Sequence, residues 1–123
     1  MEAGEKKSQG EIKVGNLEAW RDFTDVRDMV RAYLLALQKG LSGEVYNIGS
    51  GKVVKISDVL KKLISFSKVK IKVKQDKSLF RPQDIKKIYC NFSKFQAQTG
   101  WKPKIPLSKT LSDTIEYERS KLT

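Results

Sequence analysis

The 123-residue sequence contains no histidine, a single cysteine (Cys90) and only three prolines, and none of its apolar runs is long enough to cross a bilayer. Without histidine, the Ser–His and Cys–His pairs that activate so many protein nucleophiles cannot be assembled. Zinc loses one of its commonest ligands, and one cysteine with scattered acids does not replace it. A lone cysteine excludes an internal disulfide and agrees with a reducing compartment, so a cytoplasmic setting is expected. The opening MEAGEKKSQG has no apolar core of the kind a secretory signal needs. Residues 1–11 are polar, charged and glycine-containing, and are expected to form a flexible start.

What is present suits one soluble domain with a modest core: 39% hydrophobic and 32% charged residues. The net charge of +11 raises nucleic acid or an anionic surface as a partner. The excess is mostly lysine, however, and its densest run is residues 68–74, KVKIKVK. Strict alternation there predicts a half-buried strand, with Val69, Ile71 and Val73 facing a core and the lysines facing water. Arginine and aromatic residues, which a nucleic-acid face interleaves with lysine, are absent from that run, so a solvated face is the better reading.

The central stretch is GNLEAWRDFTDVRD, from Gly15 to Asp28. It predicts a turn at Gly15-Asn16, an extended run from Trp20 to Phe23, and a helix capped by Thr24 or Asp25 with Asp28 in its first turn. Arg21, set between Trp20 and Phe23, offers a planar charged fork that suits phosphate. A surface ion pair with Asp22 or Asp25 is the alternative. Before this stretch, Ile12-Lys13-Val14 predicts a short strand. After it, apolar residues at Val26, Met29, Val30, Tyr33, Leu34 and Leu37 predict an amphipathic helix to Lys39, stopped by Gly40.

Residues 44–48 predict another strand, followed by a turn at Gly49-Ser50-Gly51. That glycine pair does not complete a dinucleotide fingerprint, because Val54 stands where the third glycine is needed. Ser57 is the expected cap of a second helix with the face Val59, Leu60, Leu63 and Ile64. Pro82 biases Arg81 toward an extended backbone, making Arg81 a second candidate anion ligand. Ser93 is expected to cap a short helix ended by Gly100. A proline-stiffened connector, residues 101–106, leads to a last helix from Ser108. Asp22, Asp25 and Asp28 could be imagined as a metal site but are better used as caps and helix charges. Cys90, near Lys86 and Lys87, has no base to activate it. Tyr117 and Lys121 match the Tyr-x-x-x-Lys spacing of short-chain dehydrogenases, but at the end of the chain with no cofactor loop upstream, which reads as coincidence. Composition and spacing alone stop at a small α/β domain able to bind an anionic ligand.

Four motifs in order say more: GNLEAWRDFTDVRDMVRAY, GEVYNIGSGK, RPQDI and SKFQAQTGWKPKIPL. Together they resemble the C-terminal part of the extended short-chain dehydrogenase/reductases, the NAD-dependent epimerase/dehydratase family that acts on nucleotide sugars. The pattern is most similar to GDP-4-keto-6-deoxy-mannose reductases, then to GDP-mannose 4,6-dehydratases. The resemblance implies the C-terminal portion of a Rossmann-type fold, with a few short strands and three to four helices. It implies a nucleotide-sugar-binding domain over residues 12–123 and an absent N-terminal half carrying the NAD(P) loop and the catalytic Tyr and Lys. Carried over residue by residue, Arg21 and Arg81 would hold the diphosphate, Asp84 would orient the ribose or an arginine, and Val14, Gly15 and Asn16 would lie near the nucleotide. No catalytic or cofactor-binding residue is expected in this chain, which would be inactive alone. Its apolar helix and the 44–48 strand would need self-association or a partner chain to cover them. A dehydratase or 4-epimerase part, or a basic non-enzymatic binding module, are the alternatives.

Overall fold

A computed structural model of the chain describes residues 9–81 and 86–122. Strand β1 (Gln9–Val14) is followed by β2 (Trp20–Arg21), helix α1 (Val26–Lys39), β3 (Val54–Lys55), α2 (Ile56–Ser65) and β4 (Lys70–Gln75). A 3-10 turn (Lys77–Leu79), α3 (Ser93–Thr99) and α4 (Leu107–Ser120) complete the order. β1 and β4 pair in parallel, with Ile12 beside Val73 and Lys13 beside Lys74, while β2 and β3 pair antiparallel. The mixed α/β character expected from the sequence is what forms.

Pairing explains why β1 starts at Gln9, inside the stretch expected to be flexible: β4 satisfies its backbone groups. The lysine strand keeps its alternation, Ile71 being half-buried and the lysines exposed. Val73, expected inside, is 36% exposed because a two-stranded sheet leaves the end of its apolar face open.

Helix α1 has the bounds its periodicity predicts. Asp25 is the cap, accepting from the Arg27 N–H at 2.8 Å. Asp28 does more than charge the first turn. It is buried and accepts from Arg31 at 2.8 Å, from the Lys104 N–H at 3.1 Å and from the Ile105 N–H at 3.0 Å. The carboxylate thereby pins the 101–106 connector to the start of α1. The Asp28 carbonyl also accepts from Trp101 Nε1 at 3.0 Å. Trp101 is fully buried, edge-on to Phe92 and beside Phe95, and with Ala32 these rings form the core. Gly100 makes the approach possible: its φ of 76° is left-handed, and its N–H donates to the Gln96 carbonyl to close α3.

Three local expectations fail. Ser93 is the first residue of α3 rather than its cap: Phe92 holds the cap position with no side-chain bond, and the Asn91 side-chain oxygen accepts from the Ser93 N–H at 2.9 Å. The other two fail for long-range reasons. Ser57 lies inside α2 rather than capping it, because the Leu17 and Ala19 carbonyls accept from the Ser57 and Ile56 N–H groups. Residues 44–48 carry no strand. Tyr46 and Ile48 pack on the core cluster, but no described strand lies alongside to pair with them.

α1 turns Asp28, Ala32, Leu35 and Ala36 inward. Its apolar stripe of Val26, Val30, Tyr33, Leu34 and Leu37 faces outward, with Val26 71% and Leu37 86% exposed. No helix among the described residues is long and apolar enough to cross a membrane.

The acids at the head of α1 make stability depend on pH. The bidentate Arg27 guanidinium, with Thr110 and the Arg27 N–H, holds the Asp25 carboxyl well below the usual range. At Asp28, burial opposes ionisation, but donors from Ile105, Arg31 and Lys104 outweigh it and lower the pKa. Groups lowered by folding add stability that is fully present above their unfolded value of about 4 and is lost as pH falls through the folded value. Urea unfolding midpoints should therefore fall steadily below about pH 4, and Asp28→Asn should flatten that fall. A midpoint that stays constant through this acid range would contradict the assignment.

Candidate functional site

A cavity of about 560 Å³ opens where the end of β1, the turn after it, β2, α2 and the 3-10 turn meet. Its size is that of a small-molecule site. Five of the six site residues expected from sequence line it: Val14, Gly15, Asn16, Arg21 and Arg81. The sixth, Asp84, lies outside the described residues, as does Pro82.

Each wall has a local cause. Gly15 lies so close to the 3-10 turn that a Cβ would come within 2.9 Å of the Leu79 carbonyl oxygen. Only glycine lets the two segments meet there without a shift. Asn16 forms an Asx turn, its side-chain oxygen accepting from the Glu18 N–H at 2.9 Å. The Ile56 and Ser57 N–H groups then tie residues 17–19 to the start of α2. Trp20 is held on two sides, by β3 and by residues 86–88, where its N–H donates to Lys86 at 2.7 Å and its carbonyl accepts from Ile88 at 3.1 Å. Arg21 is half-buried, and its Nη1 donates to the Trp20 carbonyl at 2.8 Å. The guanidinium is thus braced against its own strand while lining the cavity. Phe23 lies elsewhere, in a second cavity of about 430 Å³ with Ile105 and Leu107.

Sequence reasoning missed the apolar half of the site. Ile56, Val59, Leu60 and Leu63 of α2, with Leu17 and Leu79, supply it. The spacing of Val59, Leu60 and Leu63 predicts only a helix face; with Ile56 and Leu17 they are half-buried, and Leu79 is exposed, because part of that face borders the cavity. Lys13, in sequence only a strand residue, also lines the cavity. The lining therefore joins apolar surface, a turn of exposed backbone and cationic side chains. Such a surface can hold a flat apolar group at one end and a charged phosphate at the other.

Other candidates resolve as structure. Asp22 grips the glycine turn, accepting from the Ser50 hydroxyl, from the Ser50 N–H at 2.9 Å and from the Gly51 N–H at 3.0 Å. Asp25 and Asp28 are engaged as described above. Among the described residues no group of three or more Cys, Asp or Glu side chains is placed to hold a metal. Burial, followed by the nearby Asp22 charge, pushes the Cys90 thiol up, away from a reactive thiolate. Tyr117 lies on an exposed face of α4 and Lys121 just past its end, the ammonium 4.6 Å from the ring centroid, and both line neither cavity.

Residues 1–114 match the family model described as GDP-mannose 4,6 dehydratase. The GDP-6-deoxy-D-mannose reductase of Pseudomonas aeruginosa is 33% identical over 100 residues, covering 81% of this chain and 33% of the relative. The solved structure of RMD from Pseudomonas aeruginosa complexed with NADPH superposes with a TM-score of 0.75 at 33% identity, over 82% of this chain and 33% of that one. A UDP-glucose 4-epimerase with UDP-glucose from Thermotoga maritima gives a TM-score of 0.75 at 32% identity, over 92% of this chain and 36% of that one. The chain thus spans about a third of the length of these relatives. By family model, sequence and fold, it belongs to the GDP-mannose 4,6 dehydratase family, among the extended short-chain dehydrogenase/reductases whose members are nucleotide-sugar reductases, dehydratases and epimerases.

Proposed function

We propose that the chain is the nucleotide-sugar-binding, C-terminal portion of an NAD(P)-dependent enzyme of the GDP-4-keto-6-deoxy-mannose reductase type, acting in the cytoplasm. The observation that carries this reading is the placing of Arg21 and Arg81 on one cavity with the Gly15-Asn16 turn and the apolar side of α2. The two guanidinium groups would hold the diphosphate, and the turn and apolar wall would hold the nucleoside. Asp84 belongs to the same proposed set by its place in the RPQD motif. Preference for a GDP-linked sugar rests on the relatives' names, a reductase of a GDP-sugar among them. Dehydratase or 4-epimerase chemistry would use the same binding surface.

The described residues do not fit a dinucleotide. The Gly49-Ser50-Gly51 turn is the nearest thing to a phosphate loop, yet its Ser50 and Gly51 N–H groups point at the Asp22 carboxylate. NAD(P) would thus bind to another part of the enzyme, and this chain alone would be inactive. The outward stripe of α1, together with exposed Val45 and Leu41, would be covered by that part or by a second copy, since an apolar patch of this kind marks a contact surface.

Calorimetric titration with GDP, UDP and dTDP and their sugars tests the proposal. Saturable binding at micromolar or weaker affinity, tightest for the GDP-linked ligands, is expected. Equal binding of all three would remove the preference for a GDP-linked sugar and leave the nucleotide-sugar site standing. Absence of binding to any would remove this function from the chain.

A further inference from the structure

Resting on that reading, we propose that Lys13 is a third cationic ligand of the site, and that it makes the cavity selective for a nucleoside diphosphate over a monophosphate. The charged side chains among the described lining residues are Lys13, Arg21 and Arg81, all positive, with no acid among them. Lys13 is the next-to-last residue of β1, one position before Val14 and the turn that forms the cavity's backbone wall. Its register partner is Lys74 of β4, so its neighbour across the sheet repels rather than pairs with it. Its side chain is exposed, so it can reach across the mouth without loss of core packing.

The three cations differ in kind. Arg21 and Arg81 present forks suited to bidentate contact with one phosphate group. A lysine ammonium is a point charge on a flexible stem, able to follow a second phosphate whose position varies with the group attached to it. A monophosphate satisfies the arginine forks and leaves the lysine without an anion. A diphosphate engages all three.

The test compares GDP with GMP on the intact chain carrying Lys13→Gln or Lys13→Arg, by titration at two salt concentrations. Lys13→Gln should weaken GDP binding by about fivefold, the scale of one exposed ion pair. It should leave GMP binding unchanged and make the GDP salt dependence shallower. Lys13→Arg should keep the preference for GDP. Equal losses for GDP and GMP, or no loss for either, would overturn the role of Lys13 while leaving the nucleotide site standing. Failure of the unsubstituted chain to bind GDP or GMP would overturn both.

Discussion

Trp101→Ala should lower the stability of the chain by about 3–5 kcal/mol, the cost of truncating a large buried aromatic residue. Trp101 is fully buried, and the other completely covered side chains of its cluster are Ala32 and Phe95. Its loss would leave Phe92 and Phe95 facing a void and the Asp28 carbonyl without the indole donor. A small domain holds only about 5–15 kcal/mol in total, so a large share of the chain should unfold at urea concentrations the parent tolerates. Trp101→Phe should cost less, since it keeps ring contacts and loses the indole donor and some volume. An alanine variant within about 1 kcal/mol of the parent, the size of a surface effect, would show that the core lies elsewhere.

Arg21→Ala and Arg81→Ala should each weaken GDP binding by roughly tenfold to a hundredfold, as expected for loss of a charge-assisted phosphate contact worth about 1.5–3 kcal/mol. Because both side chains line one cavity, the double variant should lose more than the sum of the two. Each arginine compensates in part for loss of the other when they share one charged group. Lysine at either position should recover only part of the affinity, since an ammonium cannot supply the planar fork. Variants that remain folded and bind GDP as the parent does would remove the diphosphate assignment.

Much of this arrangement was legible in the sequence where the signal is local. The bounds of α1 follow from apolar spacing, the Asp25 cap and Gly40. The end of α3 follows from Gly100, whose left-handed backbone few other residues adopt. Arg21 and Arg81 were singled out by chemistry and by family motif, and the fold places them on one cavity. Features set by distant partners were not legible. Residues 44–48 have a strand's composition, but a strand exists only with a neighbour. Ser57 looks like a cap, but carbonyls nearly 40 residues earlier satisfy the N–H groups it would have served. Trp101 sits in a proline-rich connector and is nonetheless the centre of the core, because Asp28 pulls the connector onto α1. The apolar face of α2 has the same spacing whether it closes a core or borders a ligand cavity, so spacing could not reveal that half of the site.

The most direct test of the central claim follows that GDP titration residue by residue, through the amide chemical shifts of the isotopically labelled chain. Saturable shifts concentrated at Gly15, Asn16, Leu17, Arg21 and the Val59–Leu63 side of α2, with Phe23 and Ile105 quiet, are the predicted result. Shifts confined to the second cavity around Phe23 and Ile105, or spread evenly over the exposed lysines, would contradict it.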